Sequence, residues 1–133
     1  MFRGFRTAVG ALAIVLMASP VLLGSAAAAD GADRADVLAL PTCTTGEWWI
    51  PATASGDSDC ILARGNANDA VRHLQRSLRD CNGQNIAVDG IYGPGTEAAV
   101  MNVQRSAGIA VDGVYGPNTR DVMSHSIHFN CSE

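Results

Sequence analysis

The segment IAVDGIYGPGTEAAV (86–100) returns as IAVDGVYGPNTRDVM (109–123), matching at nine of fifteen positions with an offset of 23. Each copy carries an Asp-Gly pair, Asp89-Gly90 and Asp112-Gly113, followed by a tyrosine and then Gly-Pro. Asp accepts hydrogen bonds from nearby backbone N–H groups and Gly takes positive φ, so the pair turns the chain. Gly93-Pro94 and Gly116-Pro117 then suit a helix start, because proline at the first helical position gives up an N–H that has no partner there. Each copy therefore bends the backbone, inserts an aromatic ring and launches a helix. Two copies are too few for a solenoid.

The helices follow from apolar spacing. Val71, Leu74 and Leu78 predict a first helix over about 69–79, capped by Asn68 or Asp69 and stopped at Asn82-Gly83. Val100, Val103 and Ala107 predict a second over 94–107 with Gly108 as its stop. A third begins near Pro117, turns Val122 and Met123 inward and fades around His125. VRHLQRS from Val71 and VMNVQRS from Val100 share Val, Gln, Arg and Ser at identical spacing. Gln75 and Gln104 are thus expected as framework residues that hydrogen-bond turn backbone at the edge of the core.

The N-terminus reads as a targeting segment. Arg3 and Arg6 precede an uncharged run over 7–23, and Ala27-Ala28-Ala29 supplies a small-residue cleavage site. That pattern describes a secretory signal peptide over 1–29, with Asp30 as the new N-terminus. Pro20 and the missing charge cluster after the run disfavour a membrane anchor, so no membrane is expected as a partner after cleavage. The remainder divides into a tail and cysteine-bearing extended arm over 30–58 and a helical domain over 59–131. Within the arm, 47–50 is expected as one short extended stretch stopped by Pro51.

The chain is mildly acidic, net −4, and has no lysine. Long-range capture of nucleic acid is poorly served by that balance. Cys43, Cys60, Cys81 and Cys131 all follow the signal, and an even count in a small exported chain reads as two disulfides. Spacing does not choose among the three connectivities. The pairing expected here is Cys43–Cys131, tying the ends, with Cys60–Cys81 bracketing the first helix.

The pattern Gly65, Ala70-Val71, Leu74-Gln75 and Leu78, the two VDG-[IV]-YGP-x-T turns, and Ala99-Val100 with Val103-Gln104 together resemble the peptidoglycan-binding domain type 1 superfamily. The resemblance covers about 61–123. It implies an all-α, compact three-helix domain that is generally a non-catalytic module attached to cell-wall hydrolases and sometimes stands alone. Metalloprotease propeptides share a related fold, but their cysteine switch, PRCGxPD, is absent from this sequence. The sequence also departs from the usual setting: no catalytic domain accompanies the module, and an arm with two tryptophans is added.

No catalytic signature emerges. His125 and His128 could share a metal on a regular helix, but no HExxH motif completes them. There is no G-x-S-x-G elbow. A small bundle also leaves little room for a cleft with paired carboxylates. The reading calls for no enzyme, no cofactor and no metal. For binding, Arg72, Arg76 and Arg79 form a basic stripe on the first helix, and Arg105 takes the place of Arg76 on the second. Guanidinium forks match the carboxylates that end peptidoglycan stem peptides. The bland alternative is a solvated helix face. Trp48 and Trp49, adjacent in an extended arm, point to opposite sides, so that one packs while the other can stack on a sugar. Tyr92 and Tyr115 are expected to bury their rings and offer hydroxyls at a groove rim.

The expectation is a secreted or cell-wall-associated module that binds peptidoglycan, through stem peptide or glycan, without cleaving it. A protein-interaction or inhibitory module acting on a secreted hydrolase is the alternative, and a cell-wall hydrolase accessory enzyme stands behind it.

Overall fold

The computed structural model describes residues 38–128 and 130–132, so the signal-peptide segment and most of the tail lie outside the described residues. The elements run β1 (Thr45–Glu47), β2 (Ile50–Ala52), α1 (Asp69–Cys81), α2 (Pro94–Ala107), α3 (Pro117–Val122), β3 (His125–Ile127) and β4 (Asn130–Ser132). Three helices form the centre, as the repeat requires. Two antiparallel hairpins, β1–β2 and β3–β4, correct the all-α expectation.

The helix boundaries have local causes. Asn68 Oδ1 accepts from Val71 N at 3.1 Å and caps α1. Pro94 and Pro117 open α2 and α3, and Gly108 closes α2 at φ 70°, a left-handed conformation that favours glycine. The third helix ends at Val122, short of His125, and Val122 is exposed while Met123 is buried. The side chain of Asn82 explains this early exit. Its Nδ2 donates to Ser77 O and to Ser124 O, each at 2.7 Å, and its Oδ1 accepts from Ser124 N at 3.2 Å. One residue thus finishes α1 and pulls the chain after α3 into the strand β3.

The two repeated turns are held by two buried glutamines in the same way. Gln75 Oε1 accepts from Asp89 N at 3.0 Å and Gly90 N at 2.8 Å, while Nε2 donates to Asp89 Oδ1, Ile91 O and Thr96 Oγ1 at 2.9–3.0 Å. Gln104 repeats the set on Asp112 N, Gly113 N, Asp112 Oδ1, Val114 O and Thr119 Oγ1. Each amide sits at the edge of the core at 1% exposure, so every bond it makes replaces one that water cannot supply. Asp89 also accepts from Ile91 N, and this bond, with that from Gln75, holds its carboxyl below the usual range.

Tyr92 and Tyr115 lie wholly inside the core with Leu62, Leu74, Leu78 and Val100. Tyr92 Oη donates to Gly113 O at 2.7 Å, linking the first turn to the second. Tyr115 instead bonds through its backbone to Leu62, and its hydroxyl is buried without a partner. Burial pushes both phenols well above their usual pKa range. Neither hydroxyl reaches a groove rim, which corrects their assignment as ligand contacts.

The disulfides are Cys43–Cys60 and Cys81–Cys131, not the expected pairing. Cys43 N donates to Ile61 O and Ile61 N to Pro41 O, so the segments around Cys43 and Cys60 already run side by side. Cys81, at the end of α1, meets β4 because β3 packs along that helix. In the chain-entropy picture, loops of 17 and 50 residues contribute about 3 and about 4 kcal/mol.

The glutamine bonds predict the cost of removing them. Gln75→Ala and Gln104→Ala should each lower the unfolding free energy by about 3 kcal/mol, since both leave several buried groups unpaired. Asn118→Ala, at the surface of α3, should change it by less than about 0.5 kcal/mol. Urea unfolding of the oxidised protein measures this, and equal stability of all three variants would contradict the role given to the glutamines.

Candidate functional site

Trp48 and Trp49 form the two-residue turn of the β1–β2 hairpin, with φ 51° and 73°. Two positive φ angles match the twist of a tight hairpin, although this turn is usually made by Asn-Gly. This corrects the single extended stretch over 47–50. Pro51 continues into β2, where a ribbon with a free edge can direct its missing N–H away from the partner strand. The turn throws the two indoles into different surroundings. Trp48 is 77% exposed, whereas Trp49 leans onto α1.

Trp49 is gripped from three sides. Its ring meets His73 edge-on at 5.4 Å and His128 at 5.9 Å between centroids. The guanidinium of Arg76 lies over it, 5.5 Å from the ring centroid, a cation–π contact. Beneath the hairpin, a Cβ at Gly46 would overlap the His73 ring, so glycine allows the close approach of β1 to α1. His73 Nδ1 is buried without a hydrogen-bond partner. Burial holds this imidazole below its usual range, and the charges of Arg76 and Arg72 act in the same direction while Asp69 opposes them.

These contacts form one wall of a cleft of about 520 Å³ lined by Trp49, Arg76, Arg79, Asp80, Ser126 and His128. The wall residues come from the β1–β2 turn, the outer face of α1 and the β3–β4 hairpin. Arg79 Nε donates to Asp80 Oδ1 at 2.8 Å. Among the described residues, the Arg76 guanidinium forms neither a salt bridge nor a hydrogen bond. Ser126 N is held by Ser77 Oγ at 3.1 Å, which fixes β3 against α1.

Of the binding residues read from sequence, the cleft gathers Trp49, Arg76 and Arg79. Trp48 stands outside it. Arg72 lies toward Gly90, where a Cβ would come within 3.2 Å of its Nη2. Arg105, the sequence counterpart of Arg76, is on α2 and donates to Asn102 at 3.0 Å. Ser126 and His128 were missed as cleft residues because their position depends on a hairpin that carries no turn signature, and Asp80 enters the cleft as the neighbour of Arg79 on α1. The two histidines weighed as a metal pair occupy that hairpin and not a helix. His125 is buried with Nε2 against Arg120 O at 3.1 Å, and burial is the main cause of its lowered pKa. No group of three His, Cys, Asp or Glu residues suited to a metal occurs among the described residues.

Residues 67–123 match the family described as "Putative peptidoglycan binding domain". The chain is 37% identical to the N-terminal domain of SleB, over 48% of this chain and 88% of that one, with a TM-score of 0.45. Residues 67–123 form a domain of this peptidoglycan-binding family. The chain is 31% identical to a peptidoglycan-binding protein from Clostridioides difficile, over 49% of this chain and 40% of that one, with a TM-score of 0.47. With a Burkholderia AP3 phage endolysin it shares 39% identity over 44% of this chain and 22% of that one, with a TM-score of 0.43. The chain therefore spans less than half the length of these last two. No curated protein matches. Peptidoglycan binding is the function that the family description gives to this domain type. No helix among the described residues is long and apolar enough to cross a membrane.

The family segment includes α1, α2 and α3 but stops short of both hairpins. The cleft is thus a joint product: α1 comes from the family segment, and Trp49, Ser126 and His128 come from flanking additions. Gly46→Ala tests how the first addition is seated. In a Trp48→Phe background it should lift the hairpin, expose Trp49 and shift its fluorescence to longer wavelength, with the helical circular dichroism unchanged. An unshifted spectrum would contradict the packing of Gly46 on His73.

Proposed function

We propose that this chain is an exported module that holds bacterial peptidoglycan in the cleft between its two hairpins and α1, without cleaving it. The observation that carries the reading is the meeting of Trp49 and Arg76. Far apart in sequence, they share one cleft framed by hairpins that Cys43–Cys60 and Cys81–Cys131 tie to the helical centre. The signal-peptide pattern and the paired cysteines support export to an oxidising compartment, where the wall is accessible. Trp49 and Arg76 are the central contacts in this reading, with Trp48 beside the rim. Arg72, one turn before Arg76 on α1, and Arg105, on α2, do not line the cleft and serve as controls.

Co-sedimentation of the oxidised protein with purified sacculi tests this. Wild type should pellet, and Arg76→Ala should weaken apparent affinity about tenfold, equivalent to about 1.4 kcal/mol. An Arg72→Ala, Arg105→Ala double variant should pellet like wild type. A folded wild type that stays in the supernatant across salt and pH would overturn the reading and turn the search toward a secreted hydrolase as partner. The absence of such pelleting together with capture of a hydrolase would favour the inhibitory alternative.

A further inference from the structure

Resting on the proposal that the cleft meets the wall, we infer that it reads a free carboxylate on the peptide part of peptidoglycan, and not the glycan. The state of Trp49 is the first reason. An indole that stacks on a sugar offers a ring face, and on Trp49 Arg76 lies over one face while His73 and His128 crowd the ring. The group left with unused capacity is Arg76. Its guanidinium offers five donors in a planar fork, and none of them is taken up among the described residues.

Charge points the same way. The chain is net −4, yet among the described residues the cleft is lined by Arg76 and Arg79 against the single carboxylate of Asp80. The local sign is therefore opposite to that of the whole molecule. Asp80 already engages Arg79, so Arg76 supplies the uncompensated charge. A neutral sugar pressed onto a guanidinium covers its donors and returns no charge. A carboxylate returns two charge-assisted hydrogen bonds in the geometry of the fork. Ser126, from β3, is a further polar residue lining the cleft. A cleft of about 520 Å³ suits a peptide end better than a polymer backbone lying along a surface.

The test compares native sacculi with sacculi whose free carboxyl groups have been converted to methylamides by carbodiimide coupling. The oxidised full-length exported protein is used, with folding of each variant checked by circular dichroism and by the absence of free thiols. Wild type should bind the methylamide form at least tenfold more weakly than the native form. Arg76→Ala should bind both equally and weakly, and Arg76→Lys should recover part of the preference, since it restores charge without the fork. Equal wild-type binding to both forms would overturn the carboxylate assignment and leave wall binding standing. Discrimination that persists in Arg76→Ala would also overturn it, by placing the carboxylate contact elsewhere. Failure of wild type to bind either form would remove the wall-binding reading itself.

Discussion

The rest of this structure depends on the amide of a buried glutamine meeting an Asp-Gly turn. A turn of this kind presents two N–H groups and at least one carbonyl toward the helix it crosses. Left unpaired inside the protein, they would cost more than the turn could recover. Gln75 answers the first turn and Gln104 the second, with oxygen toward the N–H groups and nitrogen toward carbonyl, carboxylate and threonine hydroxyl. Because each glutamine stands on the helix before the turn it holds, α1 positions the start of α2, and α2 that of α3. Tyr92 then ties the two turns to each other through Gly113 O. The orientation of α1 follows from this chain of contacts, and with it the outward direction of Arg76 and Arg79.

Much of this centre was legible in the residues. The second helix has the bounds that Pro94 and Gly108 imply, and the glutamines do what their shared spacing with the two turns suggests. These signals are local: a cap, a stop, an apolar period and a turn dipeptide each act within a few residues. The hairpins were not legible for the same reason. Trp48-Trp49 is not a turn dipeptide, and it adopts two positive φ angles because the packing of Trp49 on α1 and of Gly46 on His73 favours that shape. The exit of the chain into β3 depends on Asn82, forty-two residues away from the Ser124 backbone it holds. The disulfide pairing differs from the expected one because cysteine spacing carries no information about which segments run side by side.

The candidate site sits where these two kinds of structure meet. The family segment supplies a rigid helix face, and residues outside it supply Trp49, Ser126 and His128. Each addition is short, with three-residue strands. Hairpins of that size are marginal by themselves in water. One disulfide ties the segment leading into the first hairpin to the strand-like stretch before α1, and the other ties β4 to the end of α1. The placement of the cysteines follows from that need. They fix additions to a helical centre that is already held by its glutamines and its apolar core.

The central claim is that the wall meets the cleft and not another face. Titration of the isotope-labelled, oxidised protein with soluble disaccharide-peptide fragments, followed residue by residue by NMR, addresses it most directly. The account predicts that shifts gather at the Trp49 indole, the Arg76 side chain, Ser126 and His128, with α2 and α3 unmoved. Shifts concentrated around Arg105 and Asn118, with the cleft silent, would contradict it.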